Sequence, residues 1–173
     1  RHSSSAASDV YKRQALTWAY LLAQGKAIHN CDVKNKARTL FIATEGRNTL
    51  KKRFKAVEIQ YGAIDYRQLI RYDEEWSFDD NKVDDLIDYF KKHFDLIIID
   101  SYSASLDDES VNSDAVTRSK LKKIKKIRDE CEATVILIAH SGKNPLKGIM
   151  GSSVLGNDID TEIRVSGRKK PII

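Results

Sequence analysis

The chain has 173 residues, of which 41% are hydrophobic and 32% are charged, with a formal net charge of +5. This length suits one domain with a buried core. The charge permits nucleic-acid contact without requiring it, because the lysines are scattered over predicted helices. No apolar run is long enough to cross a membrane, and the N-terminus lacks the apolar segment of a signal peptide. Cys31 and Cys131 form no metal or redox motif, so a reduced, cytoplasmic setting is expected.

Residues 1–14 differ in character from the rest of the chain. They are polar, rich in serine and alanine, and aperiodic, and Asp9–Gln14 resembles a translated adapter end used in DNA sequencing libraries. We therefore expect 1–14 to be a non-native, disordered segment, followed by a partial domain over 15–173. The basic turn at 166–170 and Pro171 give the same expectation of a stop within the domain.

Helical and extended patterns alternate over the remaining residues. In chain order, the pattern predicts a helix over 15–24, a strand over 39–44, a helix capped by Asn48 or Thr49 that ends near Tyr61, a strand over 66–72, a helix from Asp79 or Asp80 to His93, a strand ending at Asp100, a helix from Ser113 or Asp114 to Glu130, a strand over 134–139, a short helix or turn over 151–157 and a strand over 160–165. This order predicts an α/β fold with a mostly parallel sheet and helices on both faces.

Three of the predicted buried strands are followed by, or end on, a polar residue: Glu45, Asp100 and His140. Each has an ordinary explanation, because Glu45 suits a solvated loop, Asp100 suits a cap and a lone histidine is commonly a core residue. Parallel strands point the same way, however, so these side chains are expected to converge at one edge of the sheet, where open α/β sheets bind ligands. A carboxylate at such a strand end can hold Mg²⁺ through water, and a second can polarise water.

Four segments carry a more specific likeness: TLFIATEG at 39–46, FDLIIIDS at 94–101, VILIAHSGK at 135–143 and KGIMGSS at 147–153. In order and spacing, they resemble the RecA-like AAA-type P-loop ATPases. They are most similar to the RepA-type hexameric helicases and related phage replication or recombination ATPases. The resemblance extends from about Ala15 to Val165 and implies a RecA-like fold.

The resemblance also implies roles for the residues at the strand ends. Glu45 would orient or activate the attacking water, and Asp100, followed by Ser101, would be the Walker B residue that holds Mg²⁺ beside ATP. His140 would occupy the position that senses the γ-phosphate. Either Arg164 or Lys143 would reach the phosphate bound by a neighbouring subunit.

DNA binding and assembly are implied in the same way. The segment 142–150 is similar to the loop that faces single-stranded DNA in the channel of a homo-oligomeric ring. Lys143 and Lys147 would be its phosphate contacts.

One departure from the family pattern stands out, because the sequence contains no G-x-x-x-x-G-K-[S/T]. Gly25-Lys26 follows a helix, whereas a P-loop lies between a strand and a helix. The family places that loop just before the helix at 15–24, so it is expected to have been cut off, and this chain is not expected to hydrolyse ATP. Three alternatives stay open: a receiver-like signalling domain, which needs an acidic pair that is not present near Ala15, a ParA-like partitioning ATPase, and a non-catalytic module.

Overall fold

The computed structural model describes residues 3–44, 46–72, 74–105, 113–139 and 153–165. Helices and strands alternate through these ranges, with one short 3-10 helix after the third strand. In chain order the elements are α1 (Ser3–Gln24), β1 (Thr39–Ala43), α2 (Arg47–Tyr61), β2 (Leu69–Tyr72), α3 (Asp80–Phe90), β3 (Leu96–Asp100), the 3-10 helix Ser103–Ser105, α4 (Asp114–Cys131), β4 (Thr134–Ile138) and α5 (Ser153–Asn157). No helix among these residues is long and apolar enough to span a membrane.

The four described strands form one parallel sheet in the order β2-β1-β3-β4. The central strands β1 and β3 are buried along their whole length, as expected for runs that are apolar on both faces. Their pairing places Ala43 opposite Asp100, and Asp100 in turn lies opposite Ile138 of β4. The three strands therefore end in register at one edge of the sheet.

Two apolar clusters cover the two faces of this sheet. On one face, Leu40, Ile42, Ile97 and Ile99 point towards buried side chains of α3, α4 and α5. On the other, the alternate strand residues pack against α1 and α2; this second cluster includes Ala15, Leu16, Ala19, Tyr20, Phe41, Leu50, Val57 and Ile98. The predicted α/β fold, with a mostly parallel sheet between helical layers, is confirmed.

Helix α3 begins where the sequence predicts. Asp79 is its N-cap, and its carboxylate accepts a hydrogen bond of 3.0 Å from the Asn81 backbone amide.

We expect Asp79→Ala to lower the free energy of unfolding by about 1 kcal/mol, because one of the first-turn amides loses its acceptor. Denaturant unfolding followed by circular dichroism measures this loss. Asp88→Ala, at an exposed position of the same helix, is the control and is expected to change stability by less than about 0.5 kcal/mol.

Helix α1 starts earlier than the predicted helix over 15–24. It starts at Ser3 rather than at Ala15, so residues 3–14 are helical. The stretch contains alanines and no glycine or proline, and helix formation spreads readily from the anchored turns that follow. The predicted non-native origin of residues 1–14 is a separate matter and stays a prediction.

Two predicted strands differ from the structure. Strand β2 starts at Leu69 instead of Tyr66, because Asp65 closes a turn by accepting hydrogen bonds from the backbone amides of Arg67 and Gln68. The predicted strand over 160–165 does not form, although its residues alternate as a strand would. Residues 160–165 are all exposed, so alternation here has no apolar surface to cover.

Two helix ends also differ. The N-cap of α2 is Gly46, in the left-handed conformation with φ 65°, rather than Asn48 or Thr49. Helix α3 stops at Phe90, short of the predicted His93. Lys92 has a positive φ of 60°, and the amide of His93 bonds back to the carbonyl of Phe90, so a tight turn replaces the last helical turn.

Candidate functional site

The gap between the ends of β1 and β3 is the place where this topology favours a ligand. The chain leaves β1 through α2 on one face of the sheet towards β2, and leaves β3 through α4 on the opposite face towards β4. Connections that diverge in this way open a crevice at the carboxyl ends of the strands. Asp100, the last residue of β3, lies at that switch point.

Asp100 is almost fully buried and faces a buried cation. Its exposed fraction is 1%, and that of Lys12 in α1 is 7%. The Nζ atom of Lys12 lies 3.3 Å from Oδ1 of Asp100. A carboxylate can be held in such a place only with a cation close by, so Lys12 compensates the charge at the end of β3.

A single hydroxyl ties the ends of β1 and β3 together. Oγ1 of Thr44 accepts a hydrogen bond of 2.8 Å from the amide of Ser101. The same hydroxyl lies 2.9 Å from the carbonyl oxygen of Asp100 and 3.1 Å from that of Ser101, to which it donates. The peptide bond between Asp100 and Ser101 is cis. Ser101 is fully buried, and its Oγ lies 3.3 Å from that of Ser103.

Thr44→Val should test how much this hydroxyl stabilises the switch point. The valine keeps the shape but leaves the amide of Ser101 without its acceptor, so we expect the free energy of unfolding to fall by about 1–3 kcal/mol. Thr134→Val is the matched control, because Thr134 is an exposed residue at the start of β4 and valine suits a strand. A loss no larger than that of the control in urea unfolding would contradict the assigned role of Thr44.

Of the seven residues predicted to form the site, the structure describes Asp100, Ser101 and Arg164. Asp100 and Ser101 lie together at the switch point, whereas Arg164 is exposed and its guanidinium contacts Glu162, with Nε 2.7 Å from Oε1. The remaining four lie outside the described residues: Glu45, His140, Lys143 and Lys147. In the sequence, Glu45 follows Thr44 and His140 follows Ala139, just after β1 and β4, the two strands that flank β3.

Lys12 is not among the predicted site residues, because it lies in the segment 1–14 that is expected to be non-native. Its position nevertheless carried a signal. Lys12, Leu16, Ala19 and Ala23 follow one another at helical spacing, and all four are buried. A lysine on the buried stripe of a helix needs an anionic partner, and Asp100 is that partner.

The donor set at this edge suits Mg²⁺ only as part of a larger ligand set. Among the described residues, no group of three or more His, Cys, Asp or Glu side chains is arranged to hold a metal. Mg²⁺ in phosphate sites often takes one carboxylate together with phosphate oxygens and several waters. Asp100 fits that single protein ligand by its position at the strand end, but Mg²⁺ would have to displace the Lys12 ammonium, which lies 3.3 Å from Oδ1.

Comparison with known proteins gives three findings. No curated protein matches the sequence at a significant level. Among solved structures, the fold is similar to the crystal structure of the RadB recombinase, with 16% sequence identity and a TM-score of 0.46. That likeness covers 88% of this chain and 66% of the RadB chain, so the sequence spans just under two thirds of the length of that protein.

The third finding concerns the sequence family. The AAA domain family matches residues 5–145, which is most of the chain. The matched range contains Asp100 and Lys12 as well as the predicted positions Glu45 and His140. The chain therefore belongs to the AAA domain family.

Proposed function

We propose that this chain is part of an ATP-hydrolysing RecA-like motor that acts on DNA in the cytoplasm, as a helicase of the RepA type or in recombination. The observation that carries the proposal is the register of β1, β3 and β4. The ends of β1 and β4 lie on either side of the buried Asp100 at the end of β3. In the sequence, Glu45 comes shortly after β1 and His140 shortly after β4. Membership of the AAA domain family supports the same reaction.

In the proposed reaction, the protein positions charge around the triphosphate of ATP. Asp100 would hold Mg²⁺ through water, with Ser101 beside it, and bound Mg²⁺ would neutralise charge that develops on the phosphate oxygens. Glu45 would accept a proton from the attacking water, and His140 would detect the γ-phosphate. The Thr44 hydroxyl, which bonds to both strand ends, would keep the spacing of these groups fixed.

DNA binding and assembly form the second half of the proposal. Lys143 and Lys147 would contact the phosphates of single-stranded DNA inside a homo-oligomeric ring. Arg164 would reach the phosphate of a neighbouring subunit, for which its exposed position is suitable, although its guanidinium would first have to leave Glu162. Sites between subunits of this kind need the assembled ring for activity.

A second candidate function is that of a non-catalytic module. It is favoured by two observations: the sequence contains no Walker A motif, and the Lys12 ammonium lies against the carboxylate that Mg²⁺ would need. A module of this kind would use the same fold for binding or assembly without turnover.

Calorimetry with Mg-ATP separates the two candidates. It compares the 173-residue chain with a chimaera that carries a strand and a Walker A loop before Ala15. The motor proposal predicts that the chimaera binds Mg-ATP with micromolar affinity, about 8 kcal/mol, and that the chain itself binds far more weakly. Weak binding by a folded chimaera would favour the non-catalytic module, and robust ATP turnover by the unaltered chain would contradict the predicted need for a Walker A loop.

A further inference from the structure

A cavity lies at the β2 edge of the sheet, on the face covered by α1 and α2. Its volume is about 380 Å³, within the range of small-ligand sites. We call it the β2-edge pocket, and the residues that matter for the inference are Tyr20, Lys51, Phe54, Tyr66, Ile70 and Arg71. Asp100 is not part of its lining, so the pocket is separate from the switch point.

The hydroxyl of Tyr20 is the strongest sign of a ligand. Tyr20 is 1% exposed, and its buried OH has no hydrogen-bond partner among the described residues. Burial, with a smaller contribution from the charge of Glu58, raises the pKa of Tyr20 above its usual value, so the phenol remains a proton donor. Buried hydroxyls normally find a partner, and Tyr20 is one of the residues that line the pocket.

The charge around the pocket favours an anion. Lys51, Lys55 and Arg71 line it together with one carboxylate, that of Glu58. Lys55 is already engaged, because its Nζ lies 2.8 Å from Oε2 of Glu58. Lys51 is exposed and makes no ion pair with a described residue, which makes it available to a phosphate. Arg71 is a second cation in the pocket lining.

The aromatic residues favour a planar group next to that anion. Tyr66 is 71% exposed, and the Arg71 guanidinium lies 5.6 Å from the ring centroid of the half-buried Phe54. Exposed aromatic rings interleaved with cations are the usual means of holding single-stranded nucleic acid, because a base stacks on the ring while the phosphate meets the cation.

We propose that the β2-edge pocket binds a nucleotide unit. The base stacks on Tyr66, the phosphate contacts Lys51 and Arg71, and the Tyr20 hydroxyl donates to an acceptor oxygen or nitrogen of the ligand. The unit is either a free nucleotide or one residue of a single strand. This site needs neither Mg²⁺ nor a Walker A loop, so it is independent of the proposed ATPase function.

Binding to the 173-residue chain in the absence of Mg²⁺ tests the proposal. The probes are thymidine 5′-monophosphate, measured by calorimetry, and a fluorescent oligo(dT), measured by anisotropy. The double variant Lys51→Ala/Arg71→Ala should weaken binding by about tenfold or more, because two phosphate contacts are lost. Tyr20→Phe removes only the hydroxyl and should weaken binding by about threefold. Tighter binding of the oligonucleotide with a steep salt dependence identifies a single strand, whereas equal affinities identify a free nucleotide.

Two variants on the opposite face serve as matched controls. Lys122→Ala removes an exposed lysine of α4, and Tyr89→Phe removes an exposed tyrosine hydroxyl of α3; both should leave affinity within about twofold of the parent. Thermal unfolding verifies that each variant folds. The proposal is overturned if neither probe binds at about 1 mM, or if the folded pocket variants bind as tightly as the controls.

Discussion

Lys12→Met is expected to lower the free energy of unfolding by about 3–5 kcal/mol, the usual cost of breaking a buried ion pair from one side. Lys12 and Asp100 are both buried, and no bulk water can replace the lost ammonium beside Oδ1. Natural domains have about 5–15 kcal/mol of stability in total, so much of the folded population could be lost. Urea unfolding at neutral pH measures the change.

A double-mutant cycle separates the ion pair from simple loss of packing. Lys12→Met combined with Asp100→Asn removes both charges while keeping similar shapes, and it should recover much of the stability that Lys12→Met loses. The control is Lys91→Met, since Lys91 and Glu130 form a half-exposed pair at 2.6 Å, and such pairs contribute about 1 kcal/mol or less. If Lys12→Met cost no more than Lys91→Met, the buried pair would have no special role.

The sheet was predictable because its central strands are unambiguous. The runs ending at Ala43 and Asp100 are apolar on both faces, a pattern that suits only a strand covered on both sides. From the parallel direction of such strands it follows that their ends share one edge. The position of Asp100 in the crevice could therefore be derived before any coordinates.

The errors occurred where local hydrogen bonds compete with pattern. The Asp65 side chain bonds to the amide of Arg67 and shortens β2, a choice of turn that periodicity does not reveal. Residues 160–165 alternate like a strand, but alternation gives no information on whether a neighbouring strand is available. Residue propensity and hydrophobic periodicity describe a segment by itself. The start of β2 and the absence of a strand over 160–165 depend on what the segment contacts in the fold.

The position of Lys12 illustrates a different limit. Composition and a resemblance to an adapter sequence predict that residues 1–14 are foreign to the domain, yet the helix from Ser3 onwards brings Lys12 to Asp100.

The strand order by itself does not identify the function. The order β2-β1-β3-β4 also occurs in flavodoxin-like sheets, which include signalling domains; the family match, not the topology, favours the ATPase.

Basic charge was also a poor guide to DNA contact in α4. Its lysines add to the net positive charge, but Lys123 lies 2.7 Å from Asp80 and Lys126 lies 2.6 Å from Asp84. These contacts connect α4 to α3 across the helical layer. None of the nucleic-acid contacts that we propose lies on α4.

Glu45→Gln is expected to have the largest effect on activity. In the chimaera with a Walker A loop before Ala15, assembled with single-stranded DNA, turnover of ATP should fall by at least about 100-fold, or about 3 kcal/mol of barrier. Glutamine keeps the size and polarity of Glu45 but cannot accept a proton from the attacking water. Affinity for Mg-ATP should stay within about threefold, because the proposed role of Glu45 is in the chemical step.

Steady-state hydrolysis and calorimetry on the same preparation measure the two quantities. Glu132→Gln is the matched control, since Glu132 follows α4 at the opposite end of β4 and pairs with Lys92 on the surface; its turnover should equal that of the parent. A rate for Glu45→Gln within about threefold of the parent, under about 1 kcal/mol, would show that Glu45 is not the catalytic base. If Glu45→Gln lowered the affinity for Mg-ATP as well as the turnover, Glu45 would instead have a role in nucleotide binding. An interaction made equally in the ground state and the transition state changes the affinity and not the rate of the chemical step.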